Sequence, residues 1–330
     1  MKNLIKRVLS FVLCIFVLSV VVFTMSRLAP TDPLQSYYGD RTEKMSVQEK
    51  EEAREKLGLN DSIPTQYVRW IKSALQGDFG ISYKYKQDVT EVISKRAMNT
   101  VILGGLGFVL TFLGALLLGV ICAVFEDRLF DKLLCRFGTL LSCIPEFWLS
   151  LILIFVFAVM LKILPSGGAY SIRHEKDVTD RIEHLILPLT VVVFSHLWYY
   201  AYLIRNRILE EFREDYVRLA KAKGLGKGKI IISHCLRNIM PTYISLMAIS
   251  VSHILGGTYI VEMVFSYPGL GTLSYESARY SDYNLLMLLC LMSGAVVMLC
   301  SSLGRFVSEK LDPRIISDRN TTVLPGEVGE

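Results

Sequence analysis

The chain has 330 residues, 52% of them hydrophobic and 20% charged, with a formal net charge of +5. Disorder is excluded because it needs low hydrophobicity, and seven cysteines in this length are too few for a disulfide-stapled scaffold. The charged share lies below the roughly 25% usual in soluble domains, so the arrangement of the apolar residues decides the class.

The apolar residues are gathered into runs. A bilayer core about 30 Å thick is crossed by about 20 apolar helical residues, and six runs meet or approach that length. The first, Val8–Met25, is uncharged and follows Lys2, Lys6 and Arg7. Such a start also fits a signal peptide. The run is long for one, and Ser26-Arg27-Leu28-Ala29-Pro30 offers no Ala-x-Ala cleavage site, so residues 1–25 are expected to be an N-terminal segment with a retained membrane helix. Residues 26–100 are mixed in charge and read as a small helical cap. Ser46-Val47-Gln48-Glu49 is a capping box that opens a helix through about Lys56, and Gly58 ends it. Pro64 starts a second helix through Ala74, with Trp70 on its apolar side. Asp88 and Glu91 cap a third that runs into the second membrane helix.

Residues 101–305 form the membrane core. Val101–Phe125 is uncharged, and Phe137–Leu161 has one charge, Glu146, just after Pro145, where the helix is already interrupted. Leu185–Ile204 contains His196, Asn238–Val261 contains His253, and Tyr283–Leu303 is uncharged. Between the fourth and fifth runs lies segment 205–237, with nine Lys/Arg against Glu210, Glu211, Glu214 and Asp215. That segment alone carries the chain's +5. Its stretch Asp215–Lys223 has helical spacing, with Tyr216, Val217 and Ala220 on the apolar side, and Gly224, Gly226 and Gly228 break it. A short helix ending in a glycine turn suits docking on another protein. A solvated positive loop that only fixes topology stands beside that reading. Residues 306–330 read as a cytoplasmic tail, polar after Pro313.

With the N-terminus inside, the inner segments hold 19 Lys/Arg and the short outer loops, 162–184 and 262–282, hold five. The positive-inside bias therefore places both termini in the cytoplasm. All seven cysteines lie in membrane runs or inner segments, so no disulfide framework is expected. No Cys/His spacing suggests a metal site.

Enzyme chemistry is not expected of this chain. Gly224–Lys229 lacks the spacing and the Ser/Thr of a phosphate-binding loop. Gly105 and Gly107 begin a dinucleotide fingerprint, but Leu110 stands where its third glycine belongs. Ser195 and His196 are adjacent, so on a helix they point about 100° apart, and no Asp lies within a run. Glu146, His196 and His253 are polar groups at membrane depth, which suggests a translocation path, with helix–helix hydrogen bonding as the plainer role. Small residues recur at Gly107, Thr111, Ala115 and Gly119, and again at Ala248, Ser252 and Gly256. Such stripes let helices approach closely, within this chain or against a second one.

Several stretches resemble the membrane permease subunit of bacterial ABC importers, in the peptide/nickel class and its B-type permease. Asp215 through Leu225 resembles the cytoplasmic EAA loop, with Arg218-Leu219-Ala220 in place of the written triplet and Gly224 as the loop glycine. The general continuation departs here, since the proline is delayed to Pro241. Gly77-Asp78-Phe79-Gly80-Ile81-Ser82 with Val89, Ile93 and Arg96 resembles the end of the class's external loop. Leu28–Pro33, Val261–Phe265 with Pro268-Gly269-Leu270-Gly271, and Leu311-Asp312-Pro313-Arg314 resemble further class signatures. The resemblance implies an all-α polytopic protein with six transmembrane helices, the type I ABC importer permease fold, in a bacterial cytoplasmic membrane. It implies that Asp215, Tyr216, Val217, Arg218, Ala220, Gly224 and Leu225 couple to a separate ATPase, and that Glu146, His196, His253 and Glu262 are candidates for the path or gate. Implied partners are a second permease, two ATPase subunits carrying ATP and magnesium, and an external binding protein that delivers peptides. No nucleic acid and no cofactor or metal in this chain are implied. Import of nickel or a metal chelate, and ion-coupled secondary transport, are the competing readings.

Overall fold

A computed structural model describes residues 2–29, 32–174 and 177–311. Pro30 and Thr31 of the Leu28–Pro33 signature, Asp312–Arg314 of the C-terminal signature, and the tail from residue 312 lie outside the described residues. Among those described there is no β-strand, only an isolated bridge between Ile81 and Asp88.

In chain order, α1 is Lys2–Leu28, and α2 (Pro33–Tyr38), α3 (Arg41–Lys44), α4 (Val47–Lys56) and α5 (Ile63–Leu75) follow. Local chemistry sets these boundaries. Ser46 and Glu49 close the capping box at the start of α4 (3.2 and 2.7 Å), and the chain leaves α4 through Gly58 at φ +64°. Pro at the start of α5 costs no hydrogen bond there. Helix α6 is Val89–Val124, and the helix expected from Asp88 is its first part.

The third apolar run is not one helix. Helix α7 (Leu129–Ser142) and α8 (Glu146–Leu153), which continues as a π-helix over Ile154–Met160, meet at 98°. Pro145 has extended backbone (ψ 142°), lacks an N–H, and cannot continue the turn before it. The continuous helix expected over Phe137–Leu161 is corrected accordingly to a bent pair. Helices α9 (Val178–Glu211), α10 (Asp215–Ala222) and α11 (Lys227–Ile230) follow. A π-helical stretch, Ile231–Cys235, leads into α12 (Leu236–Val264), and α13 (Leu270–Arg279) and α14 (Tyr283–Leu311) end the described chain.

Among the described residues, five helices are long and apolar enough to cross a membrane, or six if the bent pair counts as one span. Their apolar side chains face outward in number: on α1 alone Val8, Leu9, Val12, Leu13, Phe16, Val17 and Val21 are exposed. A surface of that kind belongs in lipid.

The chain divides into two compact units. One gathers the described residues of Met1–Ile102 and Ser266–Met298. In it α5 lies on α1, where Ser19 and Tyr67 share a hydrogen bond (2.7 Å) and Phe23 packs on Tyr67. Its core joins Val89, Val92 and Ile93 of α6 to Leu273 of α13 and Leu285, Leu288 and Leu289 of α14. The other unit gathers the described residues of Leu103–Phe265 and Leu299–Glu330. There the small residues of α6 admit α9: a Cβ on Gly119 would lie 2.8 Å from Ile204 Cγ2, and one on Gly107 2.6 Å from Val192 Cγ1. That stripe packs within the chain.

Candidate functional site

Helix α10 is anchored by one face and open on the other. Val217 and Ala220 are buried and Tyr216 is half-buried, whereas Asp215, Arg218 and Leu219 point out, Leu219 being 58% exposed. Burial, and then the bond from the Tyr216 hydroxyl to Glu211 (2.8 Å), push the phenol above its usual range. Lys221 lies over the ring of Phe212 at 4.0 Å. After the helix, Lys227 pairs with Glu126 of the α6–α7 connection at 3.0 Å.

The helix ends in a Schellman turn. The Gly224 amide donates to the Lys221 carbonyl (2.9 Å) and the Leu225 amide to that of Ala220 (3.2 Å), with Gly224 at φ +79°. Gly226 and Gly228 do not prolong the break: Gly226 is the extended residue that opens α11, and Gly228 lies inside it. The seven residues proposed from sequence for coupling thus form one capped element. Val217 and Ala220 anchor it, Asp215 and Arg218 ion-pair along its outer face (3.1 Å), and Gly224 and Leu225 turn the chain away.

The four candidates for the path or gate are not one cluster. Glu146 on α8 and His196 on α9 meet, with Oε1 3.7 Å from Nε2. His253 on α12 lines a cavity of about 350 Å³ together with His196, Ser142, Ser195, Tyr199 and Ser250. Glu262 is fully buried on α12 and is not among the residues lining that cavity. On the outer face of α12, Ser252 and Gly256 are exposed beside Ile249 and Ile260, whereas Ala248 is taken up against Gly304 of α14.

Three polar junctions were not legible as pairs in the sequence. Asp131, 1% exposed on α7, holds Arg205 of α9 through a fork of 2.6 and 2.5 Å. In the other unit, Asp282 accepts from Ser82 Oγ (2.5 Å) and the Lys84 amide (3.1 Å), and Glu276 accepts from Tyr85 and lies 3.0 Å from Lys84 Nζ. Asn99 also donates to the Pro268 carbonyl (2.8 Å), and Thr100 Oγ1 accepts from the Leu270 amide (2.7 Å). The Gly77–Arg96 and Pro268–Gly271 signatures are therefore one packed structure.

Comparison with known proteins agrees with this architecture. Residues 115–317 match the family profile "Binding-protein-dependent transport system inner membrane component", and residues 1–104 match "Binding-prot-dependent transport system membrane comp, N-term". The chain is 31% identical over 313 residues to the oligopeptide transport system permease protein AppB of Bacillus subtilis (strain 168), covering 94% of this chain and 98% of that protein. It is 32% identical over 283 residues to the glutathione transport system permease protein GsiC of Escherichia coli (strain K12), covering 86% and 88%. It is 27% identical over 315 residues to the metal-staphylopine import system permease protein CntB of Staphylococcus aureus (strain Mu50 / ATCC 700699), covering 95% and 98%. Among solved structures, a chain of the MetNI methionine ABC transporter, in an inward facing conformation, matches with a TM-score of 0.55. That match covers 68% of this chain and 97% of the other at 14% identity, and shows the fold.

Proposed function

Because this chain belongs to the family of binding-protein-dependent transport system inner membrane components, it is a multi-pass inner membrane permease of an ABC importer, and we propose that it moves peptides delivered by an external binding protein. Relatives named for oligopeptide and glutathione transport support the peptide class. CntB, named for metal-staphylopine import, supports metal-chelate import as the second reading. Family membership sets ion-coupled secondary transport aside.

In this reading the chain works with a second permease, two ATPase subunits and the binding protein, and ATP with magnesium binds on the ATPases alone. Both termini are cytoplasmic, as the 19 to five Lys/Arg bias supports. The observation that carries the coupling role is the two-sided character of α10. Its inner face is buried in its own chain, and its outer face offers Leu219 and the Asp215–Arg218 pair to a groove. A rigid helix closed by a Schellman turn transmits a push, where a solvated loop would absorb it. ATP binding closes the ATPase dimer, drags α10 with it, and rocks the permease pair between inward- and outward-facing states. The second permease packs against the Ser252–Gly256 face of α12, where small residues allow close approach. The cavity beside His196 and His253 contributes to the path.

Co-purification tests the reading. The tagged chain, co-expressed with its candidate ATPases and extracted from membranes, retains an ATPase subunit. Ala220→Asp, which puts a charge into the buried face of α10, reduces that retention. Failure of any ATPase to co-purify with the unaltered chain contradicts the proposal.

A further inference from the structure

Glu146 begins α8, His196 lies midway along α9, and the two meet over Gly257 of α12. A Cβ at Gly257 would lie 2.6 Å from Glu146 Oε1, 3.0 Å from Oε2, and 3.0 Å from His196 Cε1. The pair occupies the space a side chain would need. The other ring nitrogen, Nδ1, is 2.9 Å from the carbonyl oxygen of Val192. A carbonyl only accepts, so Nδ1 carries a proton and donates it. The ring, if neutral, then turns the bare lone pair of Nε2 toward a carboxylate. Two acceptors facing each other in apolar surroundings repel. Glu146 Oε2 is buried without a hydrogen-bond partner, so that oxygen brings no compensating donor to the carboxylate.

One additional proton removes the conflict. Placed on Nε2, it makes an imidazolium against a carboxylate. Placed on Oε1, it makes a carboxylic acid that donates to Nε2. We propose that Glu146 and His196 bind a single proton between them, and that this proton fastens α8 to α9 across α12. Its loss leaves two facing acceptors, and the three helices separate more easily.

The surroundings leave the pair to itself. Glu146 is the only ionisable group of α8 and of the π-helix that follows. On α9, Tyr199 and Tyr200 come next and charged groups lie toward the ends, at His184 and Arg205. Helix α12 brings His253, with Arg237 and Glu262 toward its ends. Helix α7 brings Asp131, Lys132 and Arg136 near its start, Asp131 being committed to Arg205. On α6, packed against α9, Cys122 is the one ionisable group within the apolar run. His196 also lines the cavity shared with Ser195, Tyr199 and His253.

The test reads folding stability, so it stands apart from the importer reading. Thermal unfolding of the full-length chain in lipid nanodiscs is followed from about pH 6 to about pH 9, a range that includes the ordinary histidine value of about 6.5. At the top of that range the unfolded chain holds no proton at these two side chains, so a native pair that binds one loses stability as pH rises. In Glu146→Gln the amide donates to Nε2 at every pH, and in His196→Gln it donates to the carboxylate. Neither has a shared proton to lose. The unaltered chain is expected to lose about 2 °C or more of Tm across the range relative to either variant. If one variant fails to fold, the other carries the comparison. A loss of Tm with pH that runs parallel in the unaltered chain and the folded variants overturns the proposal.

Discussion

The backbone amide of Leu225 donates to the carbonyl of Ala220 at 3.2 Å, and this one bond stops α10 where Gly224 turns into the left-handed region at φ +79°. Within the segment that carries the whole net charge of the chain, Asp215–Ala222 is thereby held as a short rigid helix with a fixed exit.

That exit can be broken without touching the rest of the fold. No atom lies within 4 Å of where a Cβ on Gly224 would be, so a side chain there is opposed by backbone conformation alone, at about 1 kcal/mol for alanine. Proline is worse, because it fixes φ near −65° and removes the N–H that Lys221 accepts. Gly224→Ala is expected to weaken uptake mildly. Gly224→Pro is expected to uncouple ATP hydrolysis from uptake while the chain still reaches the membrane. Normal uptake by the proline variant in a transport assay removes the coupling role.

The junction at Glu276 should respond to acid. Burial alone would raise its carboxyl, but hydrogen bonds from Tyr85 and Lys84 and the charge of Arg96 outweigh it and hold the group below the usual range. A carboxyl depressed in the native state stabilises above its ordinary value of about 4.3, and that stability is lost as pH falls through the native value. Glu276→Gln therefore lowers Tm at neutral pH, and its gap to the unaltered chain closes in acid. Tyr85, pushed up to about 12 by burial and by its bond to Glu276, stays protonated throughout. Tyr85→Phe costs about 1 kcal/mol at neutral pH, and that cost shrinks in acid as Glu276 takes up its own proton.

Asp131 and Arg205 form a buried fork, and removing one partner strands the other. Asp131→Ala leaves a guanidinium that is 16% exposed with no counter-charge and should destabilise by about 3 kcal/mol or more. Arg205→Lys cannot rebuild two parallel bonds. Replacing both residues by apolar ones of similar volume is expected to cost less than either single change, as read by thermal unfolding and membrane yield.

The two stripes of small residues should separate by assay. On α6, a Cβ at Gly119 would sit 3.0 Å from the carbonyl oxygen of Ala201, an atom that cannot swing aside, so Gly119→Ala overpacks the α6–α9 contact by about 1–3 kcal/mol. On α12, Gly256 opens to empty space. Gly256→Leu should leave the Tm of the isolated chain unchanged and reduce co-purification of the second permease.

Much of this was legible in the sequence because it is local. The capping box at Ser46 and Glu49 spans three residues and closes as its spacing indicates. The apolar runs predict long helices because length and composition alone decide them. The Gly224 exit follows from residue type, whereas Gly226 and Gly228, of the same type, open a helix, since only the surrounding backbone distinguishes the two uses. The bend at Pro145 was signalled as an interruption, but its 98° depends on what α7 and α8 pack against. The junctions lay out of reach for the same reason. Asp131 and Arg205 are 74 residues apart, Ser82 and Asp282 are 200 apart, and no periodicity joins them.

The account turns on ATP-driven import through this chain. The direct measurement is uptake of a labelled oligopeptide by proteoliposomes holding this chain with its second permease and ATPases, with the binding protein outside, ATP inside, and ion gradients collapsed by ionophores. Uptake that requires ATP and the binding protein, and is lost in Gly224→Pro, is the predicted result. Uptake driven by an ion gradient without ATP, or unaffected by Gly224→Pro, would contradict it.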